Sequence, residues 1–148
     1  MITDLERNDL GKICQPGSIH VSKLTSIESY AHQHHQVSEI RGSLRKEIQI
    51  ADVIRALFPG GSITGAPKQK AIEIIQALEP HPRNVYCGSI GYVSRGQKAQ
   101  FNIAIRTMIL KNQKAYYYAG GGIVMDSVPE AEYQETLVKA KGMMEALA

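Results

Sequence analysis

The chain has 148 residues, 43% of them hydrophobic, 21% charged and 6% aromatic, proportions of a globular domain that exclude collagen, low complexity and disorder. A compact chain of this length buries roughly 70% of its extended surface, enough for a core where its elements complete one. Lys and Arg number 17 against 14 Asp and Glu, a net charge of +3, yet the cations are scattered among carboxylates, so nucleic acid is not expected as a partner.

The N-terminus, Met1 to Asp9, lacks the basic and then apolar pattern of a leader. No stretch approaches ~18 apolar residues, so neither export nor a membrane span is expected. Cys14 and Cys87 have no C-x-x-C spacing, which fits reduced thiols in a cytoplasmic protein better than a disulfide framework or structural zinc. A short charged helix is predicted over Leu5 to Ile13, closed by Pro16-Gly17. Strands are predicted over Ser18 to Lys23 and Tyr30 to Arg41. Ile50, Val53, Ile54 and Leu57 then repeat at helical spacing until Pro59-Gly60-Gly61.

The clearest helix follows Pro67, with Ala71, Ile74, Ile75 and Leu78 as its apolar face and Pro80 and Pro82 forbidding continuation. Lys68 and Lys70 in its first turn oppose the macrodipole; they either suit receipt of an anion or are ordinary surface lysines. From Asn84 the pattern is β: Val85 to Ser94, Ala99 to Leu110 and Ala115 to Met125, with turns at Gly96 and Asn112-Gln113 and a three-stranded antiparallel meander as the simplest arrangement. A last helix begins at Ser127, where Ser127-Val128-Pro129-Glu130 reads as a capping box, and carries the stripe Leu137, Ala140, Met144, Leu147.

Several motifs are excluded on context. Gly60 to Lys68 is not a Walker A loop, because Ala66-Pro67 separate the last Gly from Lys68. Gly120-Gly121-Gly122 does not open a helix and is not a dinucleotide fingerprint; it marks close approach of backbone to a ligand, or packing that admits only Gly. His32, His34 and His35 form a cluster in which a metal site or a catalytic role for one histidine is open. Arg106 alternates onto the strand face opposite Phe101, Ile103 and Ile105, where it is solvated or holds a carboxylate through both arms of its guanidinium. Glu132, Glu135 and Lys139 share one face of the last helix, either as a solvated surface or as oxygen ligands for Mg²⁺.

Taken in order, Met1-Ile-Thr-Asp-Leu-Glu-Arg-Asn-Asp9, His34-His-Gln-Val-Ser38, Phe58-Pro-Gly-Gly-Ser-Ile-Thr-Gly-Ala-Pro-Lys68, Tyr86-Cys-Gly-Ser-Ile-Gly-Tyr92, Ile103-Ala-Ile-Arg106, Ala119-Gly-Gly-Gly-Ile-Val124 and Glu130-Ala-Glu-Tyr-Gln-Glu-Thr136 strongly resemble the chorismate-utilising enzymes over the whole chain. Gly-Gly-Ser-Ile-Thr-Gly and Tyr-Cys-Gly-Ser-Ile-Gly-Tyr resemble the branch that forms 4-amino-4-deoxychorismate for p-aminobenzoate and folate; the anthranilate-forming branch is the near alternative. The implied fold is α+β, an antiparallel sheet with flanking helices, and residues 1–148 would form the C-terminal part of an anthranilate synthase component I-like sandwich.

The resemblance also implies roles. Arg106 and Tyr92 would hold the enolpyruvyl carboxylate of chorismate. Backbone N–H groups of Gly120, Gly121 and Gly122 would meet the ring carboxylate beside Mg²⁺ bound by Glu135 and Glu132, with Lys139, Ser62 and Lys68 contributing. His35 matches an active-site histidine, so His35, Glu132 and Lys139 are the implied catalytic set. Ammonia would come from a glutamine amidotransferase partner. A lysine nucleophile and further Mg²⁺ carboxylates are implied upstream of Met1, which makes the 148 residues inactive alone and prone to self-association through uncovered apolar faces. Gln36 stands where the family usually has an apolar residue. The remaining alternative is a non-catalytic module that binds an amidotransferase or a small anion.

Overall fold

A computed structural model of the chain describes residues 2–30, 33–96 and 98–147, and for Tyr30, Gln33, His34 and His35 the main chain alone. It is built of helices and antiparallel strand pairs that fall into two compact units, Met1–Leu78 and Glu79–Ala148.

The first unit opens with α1 (Ile2–Gly11) and a long hairpin of β1 (His20–Tyr30) and β2 (Gln33–Arg41). β1 runs well past the predicted Lys23 because the polar stretch Leu24–Tyr30 finds partners across the hairpin, Ser26 opposite Val37 and Ile27 opposite Gln36. Gln36, in the position noted for its polarity, is exposed. Beyond α1 the chain is tied to the end of β2: the Arg45 guanidinium donates to the carbonyl oxygens of Lys12 at 2.7 Å and Cys14 at 3.2 Å. This satisfies acceptors that a helix end leaves free. Ile13 and Cys14 are buried at this junction.

α2 (Ile50–Leu57) and α3 (Lys68–Leu78) lie where periodicity and prolines predict them. The main-chain N–H of Gln49 donates to Asp52 Oδ2 at 3.1 Å, closing the start of α2. Between the helices, residues 58–67 form a tight loop with a 3₁₀ turn, Gly61–Ile63. Thr64 holds it from within, its hydroxyl donating to the Gly60 carbonyl at 2.8 Å.

The second unit departs from the predicted meander. Two separate hairpins replace it, β3 (Gly91–Val93) with β4 (Ala99–Phe101), and β5 (Met108–Lys111) with β6 (Lys114–Tyr117). The run predicted as one strand from Ala99 to Leu110 breaks at residues 102–107, where Arg106 takes φ +50° and ends regular pairing. Arg106 therefore sits in a bend, not at mid-strand. Ala104, fully buried, still bonds across this break, its N–H to Gly88 O and its carbonyl to Cys87 N–H. The third predicted strand stops at Tyr117, leaving Gly120–Gly122 irregular.

α4 (Pro129–Glu145) begins two residues later than predicted, with Val128 at its N-cap and Pro129 at N1. Ser127 makes no capping bond; its hydroxyl accepts from Val124 N–H and donates to Glu132. The face turned inward is also not the predicted apolar stripe. Thr136, Lys139 and Ala140 are half-buried and Met143 buried, whereas Leu137, Met144 and Leu147 are exposed.

Asn112 and Gln113, at the tip of the β5–β6 hairpin, both have positive φ, +51° and +58°. That is the signature of a two-residue turn that suits strand twist and prefers Asn-Gly. Gln113→Gly should raise stability by about 1 kcal/mol by removing left-handed strain at a Cβ-bearing residue; thermal denaturation monitored by circular dichroism checks this, and a lower melting temperature would contradict the turn assignment.

Candidate functional site

Each unit contributes its own cluster. In the first, Asp9 near the end of α1 has only 1% of its surface exposed, and two ammonium groups close on it: Lys68 Nζ lies 2.7 Å from Oδ2 and Lys12 Nζ 2.8 Å from Oδ1. Lys68 is 59 residues away in sequence, so this pair ties the first turn of α3 to α1. Burial alone would push the Asp9 carboxyl upward, but hydrogen bonds and attraction from Lys12 and Lys68 hold it below its ordinary 3.8. Lys70 pairs instead with Glu73 on the surface. The anion that Lys68 meets among the described residues is thus internal.

Above this pair runs the 58–67 loop. Gly61 is buried, and a Cβ placed there would lie 3.0 Å from Leu5 Cβ and 3.4 Å from Asp9 Oδ2. Leu5 of α1 thus leaves only a tight fit for a side chain there, with the Asp9 carboxylate at ordinary contact distance. The next residue, Ser62, is half-buried. His35 pairs in register with Glu28 on β1, but its side chain, like those of His32 and His34, lies outside the described residues.

In the second unit the glycine run and α4 come together. Lys139 bridges them, donating to Gly120 O at 3.2 Å while pairing with Glu135 Oε1 at 2.5 Å. Glu132 accepts from the Ser127 hydroxyl at 2.6 Å, and its Oε2 lies 3.1 Å from where a Gly121 Cβ would stand. Gly120 is also closed off by Tyr86, whose hydroxyl oxygen would be 2.9 Å from a Cβ there. The Tyr86 ring stacks on Tyr118 at 5.6 Å and lies under the Arg83 guanidinium, itself paired with Glu79. Burial, with Cys87 beside it, pushes the Tyr86 phenol up to about 12, so it remains a neutral floor beneath the glycines.

Arg106 is exposed in its bend, and its guanidinium has no hydrogen bond or ion pair among the described residues. Tyr92 is 59% exposed and donates to Gln100 Oε1 at 3.3 Å. These two residues contribute an unengaged guanidinium fork and a phenol, groups that recognise a carboxylate. Glu132 and Glu135, three residues apart on α4, offer the hard oxygen ligands that Mg²⁺ takes one or two at a time while keeping its water. They fit that ion as a partial donor set. Among the described residues no group of three or more His, Cys, Asp or Glu is gathered for a metal.

Asp9, Ser127 and Tyr86 carry contacts that the sequence left unassigned. Asp9 and Tyr86 stand inside quoted motifs, and the apolar Leu10, Ile13 and Cys14 beside Asp9 are the one signal that this carboxylate is buried.

Glycine backbone, two carboxylates and an ammonium thus stand together in the second unit, which also carries Arg106. The chain belongs to the chorismate binding enzyme family, whose profile matches residues 1–145. It is 47% identical over 147 residues to aminodeoxychorismate synthase component 1 of Bacillus subtilis, covering 99% of this chain and 31% of that protein. To anthranilate synthase component 1 of Lactococcus lactis it is 49% identical over 144 residues, covering 97% of this chain and 32% of that protein. The crystal structure of anthranilate synthase component I from Streptococcus pneumoniae superposes with a TM-score of 0.87 at 46% identity, over 97% of this chain and 33% of that one. The chain thus spans about a third of the length of these relatives. No helix among the described residues is long and apolar enough to cross a membrane.

Two outcomes are expected here. A folded-state carboxyl held below its unfolded value stabilises fully above that unfolded value and loses the contribution as pH falls through the folded one. Stability of the wild type should therefore drop below about pH 4, and Asp9→Asn should flatten that drop while lowering stability at neutral pH by about 2 kcal/mol, because Lys68 loses its buried partner. Urea unfolding across the acid range measures both, and an unaltered acid limb would refute the pairing. Gly120→Ala should cost about 1–2 kcal/mol through overpacking against Tyr86, with Tyr86→Phe in the same chain restoring part of it; equal losses in single and double variants would remove Tyr86 as the cause.

Proposed function

We propose that this chain forms part of a chorismate-utilising synthase, and specifically of one that converts chorismate and ammonia to 4-amino-4-deoxychorismate. The observation that supports this best is the joining of Gly120, Glu135 and Lys139, in a unit that also carries the unengaged Arg106. In this reading Arg106 and Tyr92 take the enolpyruvyl carboxylate. The N–H groups of Gly120, Gly121 and Gly122 take the ring carboxylate. Within the first unit we assign Ser62, and Lys68 through the donors that Asp9 does not use, to anion contact, and His35 to proton handling.

Mg²⁺, held by Glu135 with Glu132, would neutralise the ring carboxylate and so ease approach of a nucleophile to the dianion. Lys139 keeps the Glu135 carboxylate and the Gly120 carbonyl in fixed relation, which sets the direction of the neighbouring N–H groups. Relatives named component 1 of a synthase support a second component, here a glutamine amidotransferase that supplies ammonia in the cytoplasm. The relatives are about three times as long, and we assign to that further length the lysine nucleophile and the remaining Mg²⁺ carboxylates.

A second reading, anthranilate synthesis, is favoured by the 49% identity to the Lactococcus lactis protein. Product decides between them, since anthranilate fluoresces and forms with release of pyruvate. For the site itself, chorismate titrated calorimetrically in the presence of Mg²⁺ should bind the wild type, and Arg106→Ala should weaken binding at least about 10-fold, the scale of one lost charge-assisted pair. Unchanged affinity in Arg106→Ala would sink that residue's role.

A further inference from the structure

We propose that Asp9 is a positioning residue for the 58–67 loop: through Lys68, and from its place beside Gly61, it fixes the turn that presents Ser62. This rests on the reading above only in giving Ser62 a ligand to meet. Asp9 is the most deeply buried charged side chain among the described residues, in a chain where almost every other ion pair lies on the surface. Its Oδ2 does two things at once. It accepts from Lys68 at 2.7 Å, and it stands 3.4 Å from the position a Gly61 Cβ would take.

Lys68 is the first residue of α3 and closes the loop on its far side, while Gly61 opens the 3₁₀ turn on the near side. One carboxylate thus binds the far end of the segment that contains Ser62 and stands beside its near end. Within that segment the main-chain bonds are long, Ile63 N to Gly60 O at 3.4 Å and Thr64 N to Gly61 O at 3.3 Å. Such main-chain bonds are weak; the Thr64 hydroxyl adds one bond inside the turn, and the buried ion pair anchors the segment to α1 at Lys68. Lys12, 48% exposed at its side chain, serves as counter-charge to Asp9 and not as a link to the loop.

Hydrogen exchange of the Ile63 and Thr64 amides in the full chain, followed beside chorismate calorimetry, tests this. Lys68→Met should raise exchange at these two amides at least 10-fold while β5–β6 amides stay as in the wild type. Lys12→Met should leave all of them unchanged. Asp9→Asn should behave as Lys68→Met, and Asp9→Glu should restore part of the protection; if Asp9→Asn fails to fold, Lys68→Met, which leaves Asp9 paired with Lys12, carries the test. Unchanged exchange in Lys68→Met, or a rise spread evenly over the chain, would overturn the proposal. Localised exchange as expected with no chorismate binding by the wild type would leave Asp9 in this role and defeat the proposed function instead.

Discussion

Asp9 carries a full negative charge where water does not reach it, and an isolated carboxylate in such a place would protonate or pull its helix out to solvent. Two ammonium groups make the burial tolerable, Lys12 from the next turn and Lys68 from across the unit. Satisfying the charge therefore requires α1 and the start of α3 to meet at one point, and the 3₁₀ turn between them lies beside it. Few apolar side chains of this unit are fully buried, Ile13 and Cys14 among the described residues. A directional interaction is then what selects this arrangement over neighbouring ones. Its net contribution to stability is smaller than its effect on geometry, as is general for buried ion pairs.

The second unit solves a related problem with a polar layer in place of a single charge. α4 turns Glu132, Thr136 and Lys139 inward toward the glycine run and leaves Leu137, Met144 and Leu147 outside. Each inward group is answered: Ser127 donates to Glu132, the Thr136 hydroxyl to the Glu132 carbonyl, and Lys139 to Gly120 O. Among the described residues that are not exposed, no buried side-chain polar atom lacks a partner, which is the condition under which a polar layer stabilises. The same bonds bring carboxylate, ammonium and glycine backbone together.

Much of this was legible in the sequence, for reasons that differ by element. α2 and α3 follow from apolar spacing framed by proline and glycine, and the Asn112-Gln113 turn from its position between alternating strands. The break at Arg106 was hidden because Phe101 to Ile105 alternates as a strand should, and nothing local announces a residue with positive φ. Pro129 displaced the helix start, taking the N1 position so that Ser127 was freed to bind Glu132. Periodicity located an apolar stripe on α4 but could not say which side the rest of the unit would cover. The grouping of Gly120, Glu135 and Lys139 was readable only from motif order, since three candidates spread over 20 residues become neighbours through the turn at 123–128.

The Lys68 to Asp9 contact spans 59 residues, while the β5–β6 hairpin closes over two. Closing a long segment carries an entropic cost that grows with the logarithm of its length, and contacts distant in sequence form late. Short hairpins assemble in about 1–10 μs, and both units contain such local nuclei, β1–β2 in the first and β3–β4 and β5–β6 in the second. By that reasoning the Lys68 to Asp9 contact, and with it the anchoring of the 58–67 loop, is expected to form after the hairpins of either unit, which makes the loop's geometry a readout of whether the first unit is fully assembled.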